Sequence, residues 1–436
     1  MQDYAEVRIW EQQVGVLRWN ESRRLGEFEY YPEFVKHGKE IAPFMMPLKK
    51  GERYSFPNLR PRPREVDTFS GLPGLIADSL PDKYGNKLFD KWIAQQGRPP
   101  GSMSPVEKLL FIGTRGIGAL TFNPAEEKIQ ASPSSIELNS LIEVAKKVLA
   151  ERTDLKINLK EEEQEAMEQL LRIGTSAGGA RPKAVIAFNP DTKDVRSGQL
   201  DLDPGYEHWM IKLDGVSGEQ FGSSHGWGRI EMAYHLMARD CEIQMTECRL
   251  HEENGRAHFM TKRFDRDQQN NRHHVQTLCA LKHFDYNQIG AYSYEQIFAT
   301  MRELGLTYPD MEQLFRRMVF NALATNFDDH TKNFSFLLTK NGGWELSPAY
   351  DVCYAFDPAN HWVNSHTITI NGKQQGIGSE DFLAVAKHAG VKAAKANSII
   401  EQTLSIIKTW TIYAEETEVE EEMMDEIHAN LVAQKW

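Results

Sequence analysis

"NALATNFDDHTKNFSFLL", residues 321–338, reads as the apolar end of a helix, then a polar knot, then a strand. Asp328, Asp329, His330, Lys332 and Asn333 fall within six positions, directly before the apolar run Phe334 to Leu338. A solvated turn is the ordinary reading of a polar loop, yet a turn needs only one or two Asn or Asp residues. This density of charge where a helix hands over to a buried strand marks a candidate site. Asp328 precedes Asn333 by five, the D-x-x-x-x-N spacing of a kinase catalytic loop. There the Asp accepts the proton of the substrate hydroxyl and the Asn holds magnesium. Asp351, in "ELSPAYDVCYAF", follows Asn333 by eighteen residues, on the next hairpin, where a second metal-binding carboxylate belongs. Magnesium takes few carboxylates and completes its shell with phosphate oxygens and water, so Asn333 and Asp351 suffice when ATP is present.

Upstream, "LRIGTSAGGARPKAVIAF", residues 171–188, places a Gly-rich turn between a helix and the strand Ala184 to Phe188. Glycine permits the tight backbone turns in which N–H groups converge on an anion. By itself such a loop is weak evidence, since it matches neither G-x-x-x-x-G-K-[ST] nor G-x-G-x-x-G. "HWMIKL", residues 208–213, is a strand-like run with one charge, Lys212. That lysine either points to solvent or serves as the strand lysine that a kinase aims at nucleotide phosphates. Glu231, in "RIEMAYHLMARD", is either a surface glutamate or the helix partner of that lysine, with equal weight. "FMTKRFDRD", residues 259–267, is a strand that carries Phe264 into the cluster Arg263–Asp265–Arg266. In a two-lobed kinase the interlobe connection offers adenine its backbone groups at this point.

Composition agrees with a soluble protein. The chain has 436 residues, too many for one simple core, so two to four compact units are expected. A formal charge of −12 argues against a chain that coats nucleic acid by itself. No apolar run reaches membrane-spanning length, and "MQDYAEVRIW" lacks the basic start and apolar centre of a signal peptide. Cys241, Cys248, Cys279 and Cys353 are scattered and never form C-x-x-C, which fits reduced structural thiols in the cytoplasm. "RHHVQTLCALKH" gathers His273, His274, Cys279 and His283, but the spacings fit no common zinc pattern. The acidic runs Glu161 to Glu163 and "EETEVEEEMMDE" read as solvated helix segments.

Along the chain, "AEVRIW" and "VGVLRW" read as short strands around the turn "EQQ", and "FEYYPEFV" continues in that style. "FSGLPGLIADSLPDKYGNKLFDKWIAQQG" changes to helical spacing, stopped by Gly97, and "IGALTFNP" returns to strand. Residues 126–136, polar and containing Pro and Ser, form the best linker candidate. Two helical stretches follow, and from about residue 380 the pattern is helical to the end. Two domains are therefore expected, 1–125 and 126–436.

The ordered set of Gly-rich loop, strand Lys, helix Glu, hinge-like strand, D-x-H-x-x-N and later Asp resembles the HipA family of serine/threonine kinase toxins from bacterial type II toxin–antitoxin systems. "VGVLRW", "FSGLPGLIADSLPD" and "GIGALTF" look like its N-terminal subdomain. "SAGGARPK", "IKL", "KRFDR", "DDHTKNFS" and "SPAYD" look like its kinase core, in the same order. The resemblance implies an α+β, two-lobed kinase fold with a mixed β-sheet N-lobe and a mainly helical C-lobe, distantly similar to PI3-kinase-like kinases.

It also implies roles. Asp328 matches the catalytic base, and Asn333 and Asp351 match the ligands of Mg2+. Gly178, Gly179, Ala180, Arg181, Pro182 and Lys183 match the loop around the ATP phosphates, and Lys212 the phosphate-binding lysine. Lys262, Arg263 and Phe264 match the adenine-contacting strand, while His330, Lys332 and Tyr350 match further nucleotide contacts. Ser176 falls where these kinases carry a serine that they autophosphorylate. The chain departs from the family at "GGARPK", where Gln-Glu more often precedes the Lys, at Lys262, where an acid is common, and at Asp329, which replaces a frequent Gly.

The implied partners are a protein substrate, for instance a translation component such as an aminoacyl-tRNA synthetase, and a small helix-turn-helix antitoxin of HipB type. DNA is expected to be met through that antitoxin, with no membrane partner. A small-molecule phosphotransferase would carry the same D-x-x-x-x-N chemistry. A degenerate kinase kept as an antitoxin-binding module is disfavoured, because every catalytic position is filled. A nuclease built on Asp328, Asp329 and His330 leaves the Gly-rich loop and Lys212 unexplained.

Overall fold

The computed structural model describes residues 3–61, 67–125, 138–150, 161–174, 182–198, 202, 204–216 and 226–433. It divides into two compact units. One comprises Met1–His225, Glu253–Gln276 and Ala280–Lys282, and the other Gly226–Glu252, Thr277–Cys279 and His283–Trp436.

In the first unit, an antiparallel sheet runs in the order Arg53–Tyr54, Leu25–Tyr30, Gln12–Asn20, Tyr4–Ile9, Leu120–Asn123. The first hairpin is tighter than the sequence suggests. Its strands end at Ile9 and resume at Gln12, and Trp10 and Glu11 turn with φ of 46° and 68°. Two successive positive φ values are what a two-residue hairpin needs to match strand twist, so Trp10 leaves the strand. "FEYYPEFV" also splits, because Pro32 starts the helix Pro32–His37, where its missing N–H is no loss. A helix that the pattern did not suggest, Pro105–Ile112, begins at Ser104 with a reciprocal Ser104–Glu107 capping box.

A second sheet of this unit contains Val195–Ser197, Lys183–Phe188, Glu207–Lys212 and Arg256–Lys262 in that order, each antiparallel to its neighbour. Alternate residues Ala184, Ile186 and Phe188 join Trp209, Ile211 and Met260 in one buried apolar cluster. Helices Lys83–Gln95, Leu138–Ala150 and Glu161–Gly174 complete it with Leu88, Leu141 and Leu170, among others. Period-two strands meeting period-3.6 helices thus bury one sheet face.

The second unit is mainly helical. Its central helix, Tyr308–Leu323, starts at a Thr307–Asp310 capping box with Pro309 in the first turn. Met311, Leu314, Phe315, Met318, Ala322 and Leu323 are buried at three- and four-residue spacing, so most of its surface is core. It packs against Tyr294–Glu303, Ser379–Ala389 and Ala393–Ile407. Trp410–Glu416 and Glu421–Ala433 continue the helical pattern to the end of the described chain. Ser335–Leu338 and Trp344–Leu346 form an antiparallel hairpin directly after the polar knot. Among the described residues no helix is long and apolar enough to cross a membrane.

Candidate active site

The polar knot is held from beneath by buried hydrogen bonds. The chain leaves the central helix through Thr325, whose φ is +51°. Asn326 Nδ2 then donates to Asn321 Oδ1 at 2.9 Å, Asn321 Nδ2 to the Tyr294 hydroxyl at 3.0 Å, and that hydroxyl to Asp329 Oδ2 at 3.0 Å. Asp329 also accepts from His366 Nδ1 at 2.9 Å and from the Thr367 N–H at 2.9 Å. Its side chain is fully buried, so these donors replace water around the carboxylate. Asp329 is therefore an anchor, while its neighbour Asp328 faces outward with 47% of its side chain exposed.

Between these two environments the loop presents its remaining groups. Asn333 Nδ2 donates to the Asp328 carbonyl at 2.8 Å, and the Asn333 N–H donates to the His330 carbonyl at 2.9 Å. The amide is thus oriented with its oxygen away from the loop backbone, as a cation would require. His330 Nε2 lies 3.9 Å from Asp328 Oδ1. The Tyr286 ring stands beside both the His330 ring, at 5.2 Å, and the Lys332 ammonium, at 4.9 Å, which sets the directions of those side chains. The Tyr350 hydroxyl donates to the Lys332 carbonyl at 2.6 Å and makes a short contact with Ser335 Oγ.

Asp351 is fixed by anchors on either side. The Ala349 N–H bonds the Gln244 carbonyl at 2.8 Å, and the Ala355 N–H bonds the Thr325 carbonyl at 3.1 Å. Asp351 itself has φ of +55°, a conformation that Asp tolerates better than most residues. It lines a cavity of about 20 Å³ together with Asn333, Asn326, Asp329 and Arg317. A cavity of that size holds about one water. Arg317 is buried there, with Nη2 bonded to the Ser347 carbonyl at 2.6 Å, and burial pulls its guanidinium down to about 10. Glu231 is 3% exposed on Trp227–Asp240, so it is not a surface glutamate, and it belongs to this same unit.

In the first unit, Lys183 and Lys212 stand directly opposite each other on paired strands. Opposed residues of an antiparallel pair share a face, and like charges there are unfavourable. Lys183 is only 4% exposed, and the Lys212 ammonium lies 5.7 Å from the Phe259 ring. The register thus brings the two lysines to one face of the sheet. The Pro182 carbonyl accepts the Leu213 N–H at 3.0 Å, which fixes where the preceding loop enters the sheet. Lys262 closes its strand with an ion pair to Glu207, and Arg263 and Phe264 lie just past the strand end. Gly178, Gly179, Ala180, Arg181 and Ser176 lie outside the described residues, as does the linker candidate 126–136.

Tyr286, Tyr294, Arg317 and His366 were not anticipated. Tyr286, Tyr294 and His366 reach the knot from other parts of the chain, and Arg317 reads as one more charge on the helix Tyr308–Leu323 that leads into it. Among the described residues no three His, Cys, Asp or Glu side chains converge as metal ligands, and none of the four cysteines forms a disulfide.

The HipA-like C-terminal domain model matches residues 175–410, and the HipA N-terminal domain model matches residues 5–123. A putative kinase of Haemophilus influenzae is 35% identical over 101 residues, covering 21% of this chain and 29% of that relative's length. Among solved structures, HipA from the Shewanella oneidensis MR-1 HipA, HipB and operator DNA complex is 16% identical, with a TM-score of 0.66. That match covers 98% of this chain and 94% of the Shewanella chain. The Helicobacter pylori proinflammatory kinase CtkA is a weaker likeness, 15% identical with a TM-score of 0.32, over 52% of this chain and 91% of its own. The fold is thus α+β and HipA-like. With family matches to both halves, one of them spanning more than half of its residues, the chain belongs to the HipA family.

Proposed function

We propose that this chain is an ATP-dependent serine/threonine protein kinase acting as the toxin of a HipA/HipB-like toxin–antitoxin pair. The observation that carries the reading is the oriented catalytic loop. Asp328 is half-exposed above a buried anchor, and Asn333 is turned by its bond to the Asp328 carbonyl toward the cavity that Asp351 also lines. In this reading Asp328 accepts the proton of a substrate hydroxyl as that oxygen bonds the γ-phosphorus and the bond to the ADP oxygen breaks. Asn333 Oδ1 and the Asp351 carboxylate fit an oxygen-seeking divalent cation in number and kind. Magnesium, when bound, neutralises charge on the transferring phosphoryl group.

Lys183 and Lys212, opposed on paired strands, receive the phosphates. Gly178 to Pro182 complete the loop around them. Lys262 to Phe264 contact adenine, and His330, Lys332 and Tyr350 contact the nucleotide from the catalytic loop. Ser176 is the self-inhibitory phosphorylation site. Residues 1–125 form the N-terminal subdomain, and 126–436 form the kinase core. The protein substrate belongs to translation, the partner is a HipB-type helix-turn-helix antitoxin that brings DNA contact with it, and the location is cytoplasmic. The Shewanella HipA complex with HipB and operator DNA supports the partner assignment through the shared fold. Calorimetric titration with ATP, with and without magnesium, tests the reading. Magnesium-dependent binding is expected, and no heat of binding in either condition would end it.

A further inference from the structure

Asp265, directly after the adenine-contacting segment, is the centre of a buried network. Its carboxylate is 2% exposed and receives Arg263 Nε at 2.9 Å, Arg263 Nη2 at 2.7 Å and Arg266 Nη1 at 2.6 Å. The Gly118 N–H also donates to it at 2.7 Å. The Gly118 carbonyl in turn accepts from Arg272 Nε at 3.0 Å and Arg266 Nη1 at 3.3 Å. Arg272 reaches on to the carbonyls of Thr114 and Gly116, each at 3.0 Å. Gly118 has φ of +79°, and a β-carbon there would stand 3.1 Å from the Val275 backbone nitrogen. Only glycine gives that approach without strain.

Residues 114–118 fall in the part matched by the HipA N-terminal domain, and residues 263–272 in the part matched by the HipA-like C-terminal domain. The network therefore ties the two family domains together inside one compact unit. It does so through two guanidinium groups on one carboxylate and a third, that of Arg272, on the carbonyls of the loop, an arrangement whose desolvation is unfavourable. Burial and the crowding of cations pull Arg266 down to about 9, although Asp265 opposes the shift. Such a cluster is a poor general-purpose adhesive. It is a stiff one, because planar guanidinium forks fix direction as well as distance. It also lies next to Phe264, and the Arg263 N–H is bonded to the His208 carbonyl at 2.9 Å, so its geometry is transmitted to that segment.

We propose that the loop Thr114–Gly118, gripped by Asp265 and Arg272, is a latch through which the N-terminal domain holds Lys262–Phe264 in its nucleotide-binding position and so sets ATP affinity. The inference rests on the assignment of that segment to adenine contact. Asp265 and Arg272 act as positioning residues, touching the nucleotide only through Lys262–Phe264. The latch distinguishes itself from plain adhesive by acting on ATP affinity and not on turnover.

The test uses the full chain as wild type, Arg272→Ala, Arg272→Lys and Trp10→Phe. Trp10→Phe removes the bond from the indole Nε1 to the Arg272 carbonyl at 2.8 Å and keeps an aromatic, if smaller, ring, so it remains informative if Arg272→Ala does not fold. Without nucleotide, amide exchange across residues 256–264 is expected to rise about tenfold in Arg272→Ala. Its ATP dissociation constant should weaken about tenfold with kcat at saturating ATP within about twofold of wild type. Arg272→Lys, which keeps the charge but not the fork, and Trp10→Phe should fall between. Wild type that binds ATP, with folded variants of unchanged affinity and exchange, overturns the latch alone. Wild type that binds no ATP overturns the nucleotide assignment and the latch with it.

Discussion

Replacing Asp329 by alanine removes the shared acceptor of four buried donors, the Ile368 N–H at 3.5 Å among them. The Tyr294 hydroxyl at 3.0 Å, His366 Nδ1 at 2.9 Å and the Thr367 N–H at 2.9 Å all lose it together. A buried donor left without an acceptor costs about 1–3 kcal/mol. The Thr367 N–H retains the Phe327 carbonyl at 3.1 Å, so the penalty falls mainly on Tyr294 and His366. Two such penalties sum to about 2–6 kcal/mol. A chain with two compact units does not melt as one two-state system, so a global denaturation midpoint is the wrong probe. Amide exchange across 326–334 and 366–370 reads the local opening free energy instead. His366→Ala, made alone and with Asp329→Ala, closes a double-mutant cycle with an expected coupling of about 1–3 kcal/mol. Opening energies within about 0.5 kcal/mol of wild type, or strictly additive effects, would refute the anchor role.

Three further outcomes follow. Asp351→Ala should bind ATP with little response to magnesium and lose at least about a hundredfold in phosphoryl transfer, read by calorimetry and single-turnover kinetics; full activity would remove Asp351 from the metal site. Burial holds His208, His235, His274 and His283 down to about 4, and Arg263 adds to the effect at His208. Unfolding releases ordinary imidazoles near about 6.5, so the unfolded chain binds more protons as pH falls from about 6.5 toward 4, and the opening free energies read by amide exchange around these histidines should fall with it; flat or rising values over that interval contradict their neutral burial. Peptide mass spectrometry should find phosphate on Ser176 in active protein and none in Asp328→Gln expressed alike, with phosphate in the inactive variant pointing to another kinase.

The parts of the site that follow one another in sequence were legible there. The Asp328–Asn333 spacing is local, and the structure shows its consequence in the bond from the Asn333 amide to the Asp328 carbonyl. Asp329 reads in the sequence as one charge of the knot and a departure from a frequent glycine, not as an anchor. Its role depends on Tyr294 and His366, 35 and 37 residues away, and no local rule connects them. Lys212 was visible on a strand and Lys183 in the loop that enters one, but their opposition is a matter of register, which only strand pairing fixes. The cluster around Asp265 was seen as a run of charges, while its partner Gly118 lies 147 residues upstream. Among the elements, Pro105–Ile112 had a local signal in "SPVE", a Ser cap with Pro first and Glu third.

The most direct measurement is transfer of radiolabelled γ-phosphate from ATP to protein by wild type and Asp328→Gln, with ATP affinity determined on the same preparations. Glutamine cannot take up the hydroxyl proton, but Asp328 is exposed and only its backbone carbonyl holds Asn333, so fold and nucleotide binding should survive. The account predicts labelled protein with wild type, and with Asp328→Gln a loss of at least about a thousandfold in transfer at near-unchanged ATP affinity. Transfer by Asp328→Gln at the wild-type rate, or none by a wild type that binds ATP and magnesium, would contradict it.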